Sequence, residues 1–305
     1  MPVGEADKGI GAEKGSVYYG VQAQTSLMDW WHDPLEKEPY KHTGDLNTFL
    51  IRPSVMYGIS DKFNIVASAN IGIRKMIWTA GQHSIHHRTE SSHTDYKNAQ
   101  GSVLGDSDIL LRYLLKNAGD GDGMRLFIGG GLTIPSNSVL TSDPFFLKDK
   151  DSMQDHRHFS LSSGAYKYIV EHQFFFKRET NPVFYGGFLL YKNAINDSRY
   201  GFKPAPTLNI SLSATYKRFD SRDSSIGYGI SFFKSGQGYW NGVAAPNSKS
   251  LSIIPGISYL INSPFGGLSF NIQKPFFIDG SYSSNEGDIG QGSNIWQFTV
   301  SLRKV

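Results

Sequence analysis

From Ser16 onward, hydrophobic and polar positions alternate through one short segment after another. In residues 295–303, Trp296, Phe298, Val300 and Leu302 fall on one side; Gln297, Thr299, Ser301 and Arg303 fall on the other. Successive side chains of a strand point to opposite faces, so this stretch predicts a strand with one apolar and one polar face. The same period sets Phe63, Ile65, Ala67, Ala69, Ile71 and Ile73 against Asn64, Ser68, Asn70 and Arg74. It also sets Leu208, Ile210, Leu212, Ala214 and Tyr216 against Asn209, Ser211, Ser213, Thr215 and Lys217.

Followed along the chain, the alternation predicts twelve strands, near residues 16–24, 47–58, 63–74, 106–116, 125–134, 163–177, 183–192, 207–218, 225–234, 250–261, 267–277 and 295–303. Short turns such as Ser60-Asp61-Lys62 and Ser221-Arg222-Asp223 take turns with long polar connections such as 29–45, 79–104 and 135–158. A soluble sandwich has no reason to keep every long loop at one end. Bacterial outer-membrane barrels do so, with short periplasmic turns, long extracellular loops and an even strand number. The expectation is an all-β, antiparallel, up-and-down transmembrane β-barrel over residues 15–305, preceded by a flexible, Gly-rich, charged arm at 1–14. A barrel in lipid leaves no open edge, so the strand at 295–303 must pair with the one at 17–23.

Composition agrees once the solvent is taken to be lipid. Aromatic residues are 13% of the chain and Gly accounts for 33 of 305 residues, which suits many turns and aromatic belts. The mean hydropathy of −0.33 is no objection, because a barrel needs an apolar residue only at every second position. No apolar run approaches the ~20 residues of a membrane-spanning helix. The absence of Cys excludes disulfides and thiolate metal sites. The first residues, with Pro2, Gly4, Glu5 and Asp7, lack the basic-then-apolar order of an export signal, so the barrel reading requires a mature form.

Gly105-Asp106-Ser107-Asp108 at the start of a strand, Phe127 to Ser136, and Phe159 to Tyr166 occur in this order. With the strand from Leu208 to Tyr216 and the later Gln273-Lys274-Pro275, they resemble the outer-membrane family named after the meta-pathway of phenol degradation, over most of the chain from about Val17. The resemblance implies a single barrel in the bacterial outer membrane that passes small, often aromatic or hydrophobic, molecules. Barrels of this kind commonly end in an aromatic residue used in assembly; this chain ends Arg303-Lys304-Val305, which implies a variant signal.

The polar faces assign a lumen. Arg52, Arg74, Arg112, Lys116, Lys167, Lys217 and Arg303 are expected to point inward, with Asp108 and Glu171. Rings of fixed positive charge would favour anions, whereas inward arginines paired with acids would merely solvate the interior. The partners expected are outer-membrane lipid and a small solute, with no cofactor and no nucleic acid. An alternative is a scaffold barrel whose extracellular loops, with Trp30, Trp31, Tyr239 and Trp240, hold a protein partner. Histidines gather in two loops, His83, His86, His87 and His93, then His156 and His158; they are weak metal-ligand candidates because their spacing matches no defined site. His172 is the mid-strand histidine that a remote outer-membrane hydrolase reading would need, but no nucleophile motif accompanies it.

Overall fold

The computed structural model describes residues 6–34, 41–79, 89–117, 121–148, 155–217, 223–280, 282–283 and 290–304. Twelve strands form the wall. They are β1 Val17–His32, β2 His42–Gly58, β3 Phe63–Trp78, β4 Leu104–Lys116, β5 Gly123–Ile134 and β6 Lys167–Lys177. The wall continues with β7 Phe184–Ala194, β8 Thr207–Lys217, β9 Ser224–Ser235, β10 Ser250–Ser263, β11 Gly266–Gln273 and β12 Gln291–Lys304. Each pairs antiparallel with its chain neighbours, and β12 closes onto β1 with Ala23 opposite Val300. The predicted barrel, its strand number and its closure are therefore present. After Gln273 the eleventh strand is interrupted at Lys274-Pro275 and resumes as Phe276–Gly280 against β10.

The alternation separates two solvents as expected. Phe298 is 41% exposed on the outside, whereas its neighbour Thr299 is 3% exposed on the inside. Phe49, Tyr57, Ile65, Leu111, Leu212 and Trp296 join the same outward belt of exposed apolar side chains. A soluble protein does not expose so continuous an apolar band; lipid makes it favourable. With strands ~4.8 Å apart and tilted ~40°, twelve of them give a backbone radius of roughly 12 Å, which leaves a lumen once inward side chains are placed.

The structure differs from the sequence expectation most at the long-loop end. β1 runs to His32 and β2 starts at His42, where a long connection was expected over 29–45. A strand needs only 9–11 residues to cross lipid, so β1 to β3, at 16 to 17 residues each, extend beyond it. There the outer face meets water, Asp29 points outward and Trp30 inward, and the lipid-based alternation no longer marks a strand. Trp30, His32, His42, Trp78 and Tyr282 form a ring cluster inside this extension, with centroids 4.5 to 6.4 Å apart.

Candidate transport lumen

The arm begins where β1 begins. Gly15 donates its N–H to the Gly58 carbonyl at 2.8 Å, at the short-turn end; Lys14 and Glu13 stay exposed at that mouth, and residues 12 to 6 run inside the barrel. Ala6, Asp7, Lys8 and Ala12 are all buried. Local chemistry explains the path. Ile10 and Ala12 pack on an apolar patch of the inner wall formed by Met56, Val66, Leu110 and Ile169. The Asn64 side-chain amide pairs with both backbone groups of Ala12, at 2.8 and 3.1 Å, as a neighbouring strand would. Gly9 donates to Gln173 Oε1 at 2.9 Å, and its φ of +72° together with Phe184 3.2 Å from where a Cβ would stand suits glycine alone.

Above this patch lies a four-charge cluster. The Arg112 guanidinium donates to Glu171 Oε2 at 2.6 Å and Oε1 at 3.1 Å, to Asp7 Oδ2 at 2.6 Å and to the Asp7 carbonyl at 2.6 Å. Lys8 Nζ lies 3.0 Å from Asp7 Oδ2 and 2.6 Å from Glu171 Oε1. Two cations face two carboxylates with every group buried, the condition under which buried charge is tolerated. Gly129 makes the room: a Cβ there would stand 3.3 Å from Arg112 Cγ and 3.4 Å from Glu171 Oε2. That accounts for one member of the Gly129-Gly130-Gly131 run.

The other expected lumen residues divide. Arg52 bonds to Ser68 and reaches Asp108 at 3.4 Å; Lys167 reaches Asp106 at 3.3 Å. Arg74 donates to Thr48 and Arg303 to the Lys8 carbonyl. Lys217 keeps the inward register but is exposed at the mouth. Lys116 is a correction: a bulge between Leu114 and Lys116 sets it opposite Leu126, in the outward series. One extra residue in a strand flips every position after it. Sequence reasoning missed Lys192, whose Nζ lies 2.8 Å from Asp108 Oδ2, and the arm residues Asp7 and Lys8. In β7 the inward Phe184, Phe188 and Leu190 are as apolar as the outward Tyr185, Leu189 and Tyr191, because they back the arm; without alternation the facing of Lys192 could not be assigned.

Across the lumen from this charged wall, β8 to β12 present small neutral groups, among them Ser213, Thr215, Ser258, Ser269 and Ser301. At mid-height lies a cavity of about 210 Å³. Six side-chain amides, of Gln22, Gln24, Asn209, Asn271, Gln273 and Gln297, line it. So do the hydroxyls of Ser211, Ser231 and Thr299, and the apolar Phe188, Phe233 and Ile254. Lys8 Nζ sits 5.6 Å from the Phe188 ring centroid, so the arm borders this cavity.

Against known proteins, the likeness is one of shape. The chain superposes on the COG4313 outer membrane channel from Pseudomonas putida F1 with a TM-score of 0.60 at 12% identity, covering 98% of this chain and 100% of that one. The fold is that of an outer-membrane β-barrel. Weaker likenesses join it to the TodX monoaromatic hydrocarbon channel (a deltaS2 mutant; TM-score 0.44, 10% identity, 96% and 91% covered) and the translocator domain of the autotransporter NalP from Neisseria meningitidis (0.40, 10%, 97% and 90%). No family model and no curated protein matches the chain.

The loop candidates have other positions. His83, His86 and His87 lie outside the described residues. His93 Nδ1 meets Ser91 Oγ, and His156 Nε2 lies 2.9 Å from His158 Nε2. Among the described residues no group of three or more His, Cys, Asp or Glu side chains is gathered as a metal site requires. Arg157, fully buried, donates to the carbonyls of Ser91, Thr94 and Phe159 and so ties two long loops together over the mouth. Burial pushes its guanidinium below the ordinary value, with Glu90 and Asp95 acting in the opposite sense. Trp240 is buried against Phe202, and Trp30 faces inward, so two of the four aromatics of the partner-holding reading are committed to the fold. His172 lies in the outward series with Ile128 and Leu189 as its cross-strand neighbours, neither of which supplies a nucleophile.

Proposed function

We propose that the protein is a passive channel of the bacterial outer membrane for small molecules, closed in the described state by its own N-terminal arm. The observation that carries this reading is a polar lumen holding both a cavity and a segment that enters from the short-turn mouth by non-covalent contacts. The likeness to a Pseudomonas protein named as an outer membrane channel supports it. So does the resemblance to the family of the meta-pathway of phenol degradation, which we take as the family assignment.

A solute route needs the arm to move. Asp7 and Lys8 leave together and are neutral as a pair, leaving Arg112 with Glu171 on the wall. Arg52 and Lys192 share Asp108, and Lys167 faces Asp106. Arg74 and Arg303, by contrast, bond to neutral oxygens, Thr48 Oγ1 and the Lys8 carbonyl, so the acid pairings reduce the preference for anions that inward cations give without cancelling it. The test is single-channel recording in planar bilayers. The full chain is expected to conduct little, and a variant lacking residues 1–14 to open in clear steps; the channel reading fails if neither form conducts.

A further inference from the structure

Three cations and two carboxylates from β2, β4, β6 and β7 gather in the lumen. Arg52 and Lys192 share Asp108, Lys167 reaches Asp106, and Lys192 lies within the field of both other cations. The cations stand in front. The side chains of Arg52, Lys192 and Lys167 are 25%, 23% and 19% exposed, whereas those of Asp108 and Asp106 behind them are 6% and 13% exposed. Lumen water therefore meets mostly positive charge, and three cations against two carboxylates leave a surplus of one. The four-charge cluster around Asp7 is itself neutral and does not cancel that surplus. The ammonium groups also keep donors in hand. Each carries three N–H groups, of which, among the described residues, Lys167 gives one to Asp106 and Lys192 two to Asp108.

This charge borders the cavity of about 210 Å³. Arg52 lies directly opposite Gln22, and Lys192 belongs to the same inward series of β7 as Phe188; Gln22 and Phe188 both line the cavity. The lining adds amide and hydroxyl donors and contains no carboxylate. An organic anion meets both features: its carboxylate accepts from the lysine, arginine and glutamine N–H groups, and its carbon body lies against Phe188, Phe233 or Ile254. A cation would face three like charges. An uncharged analogue gains nothing from the surplus charge, and a hydrocarbon leaves the amides without partners, which sites built from polar groups reject strongly. An inorganic ion would leave most of the space, about that of seven waters at ~30 Å³ each, unfilled.

We propose that Arg52, Lys167 and Lys192, with the cavity they border, form a binding station for a small organic carboxylate carrying one negative charge. Its place on a transport route rests on the channel reading; its existence does not. The test is saturation-transfer NMR on the full chain in detergent micelles, with sodium lactate, lactamide and protonated ethanolamine as probes. Lactate is expected to receive saturation above an empty-micelle control, and lactamide and ethanolamine to receive none. Lys192→Gln should weaken lactate binding about tenfold, the worth of one charge-assisted hydrogen bond. Asp108→Asn should tighten it about as much, because the acid that competes for Arg52 and Lys192 is gone; a cluster that only braces the wall would show no such gain. If Asp108→Asn does not fold, Lys167→Gln, expected to weaken binding as Lys192→Gln does, carries the test. No transfer to lactate, equal transfer to lactamide or ethanolamine, unchanged binding in the lysine variants, or no gain in folded Asp108→Asn overturns the proposal. Binding without conductance defeats the channel reading alone; conductance without binding defeats this inference alone.

Discussion

Arg112 decides the state of the lumen more than any other residue. It donates to both Glu171 oxygens, to Asp7 Oδ2 and to the Asp7 carbonyl, so removing it leaves two buried carboxylates to share Lys8. Breaking a buried pair by deleting one partner costs about 3–5 kcal/mol. We expect Arg112→Ala to release the arm while the barrel stays closed. Trypsin should then cut after Lys8, which is 3% exposed and protected in the parent chain; mass spectrometry of the released fragment reads this directly. Unchanged protection of Lys8 would mean that the apolar contacts of Ile10 and Ala12 hold the arm alone. At Gly129 a valine would intrude on Arg112 and Glu171, so Gly129→Val should give the same cleavage.

Among the elements, the contact between first and last strands carries the closure. Tyr19 pairs with Lys304 and the register runs without slip to His32 opposite Gln291. Because the chain contains no Cys, the joint substitutions Ala23→Cys and Val300→Cys should form one intramolecular cross-link on oxidation. Moving one partner by a single residue, to Thr299→Cys, puts the thiols on opposite faces and should suppress it. Equal cross-linking of both pairs would contradict the register. β8 and β9 were placed from sequence to within a residue at each end, since their outer faces meet lipid along their length. The extensions of β1 to β3 beyond lipid were not, because water on the outside removes the reason for an apolar outer face.

At the scale of the whole molecule, the barrel is a partition between two solvents, and substitutions should report which side they face. Leu212 lies at mid-strand on the outer face, 42% exposed. An arginine near the bilayer midplane costs about 2–4 kcal/mol, so Leu212→Arg should lower the urea midpoint for folding into lipid vesicles by that equivalent. Ser213→Thr, one residue on and facing the neutral inner wall, should leave it nearly unchanged. Equal losses at both positions would mean that the outer belt does not contact lipid. Inside, the positive charge of the inner wall is in part offset by acids. Arg112 is balanced by Glu171 on the wall and by Asp7 on the arm.

The sequence by itself determined the number of strands, their order, the alternation of short and long connections and, for most strands, which face meets lipid. These are local properties, since a period of two and a turn of a few residues are visible within ten positions. Only the tertiary structure decided what fills the interior. Residues 6–14 carry no period, and their fit depends on Asn64, Gln173, Glu171 and Arg112, which come from three strands and meet only when the barrel closes. The pairing of Lys192 with Asp108, 84 residues away, and the outward turn of Lys116 at a bulge are likewise products of register between strands. Alternation specifies a face; it does not specify which side chains come together across a lumen.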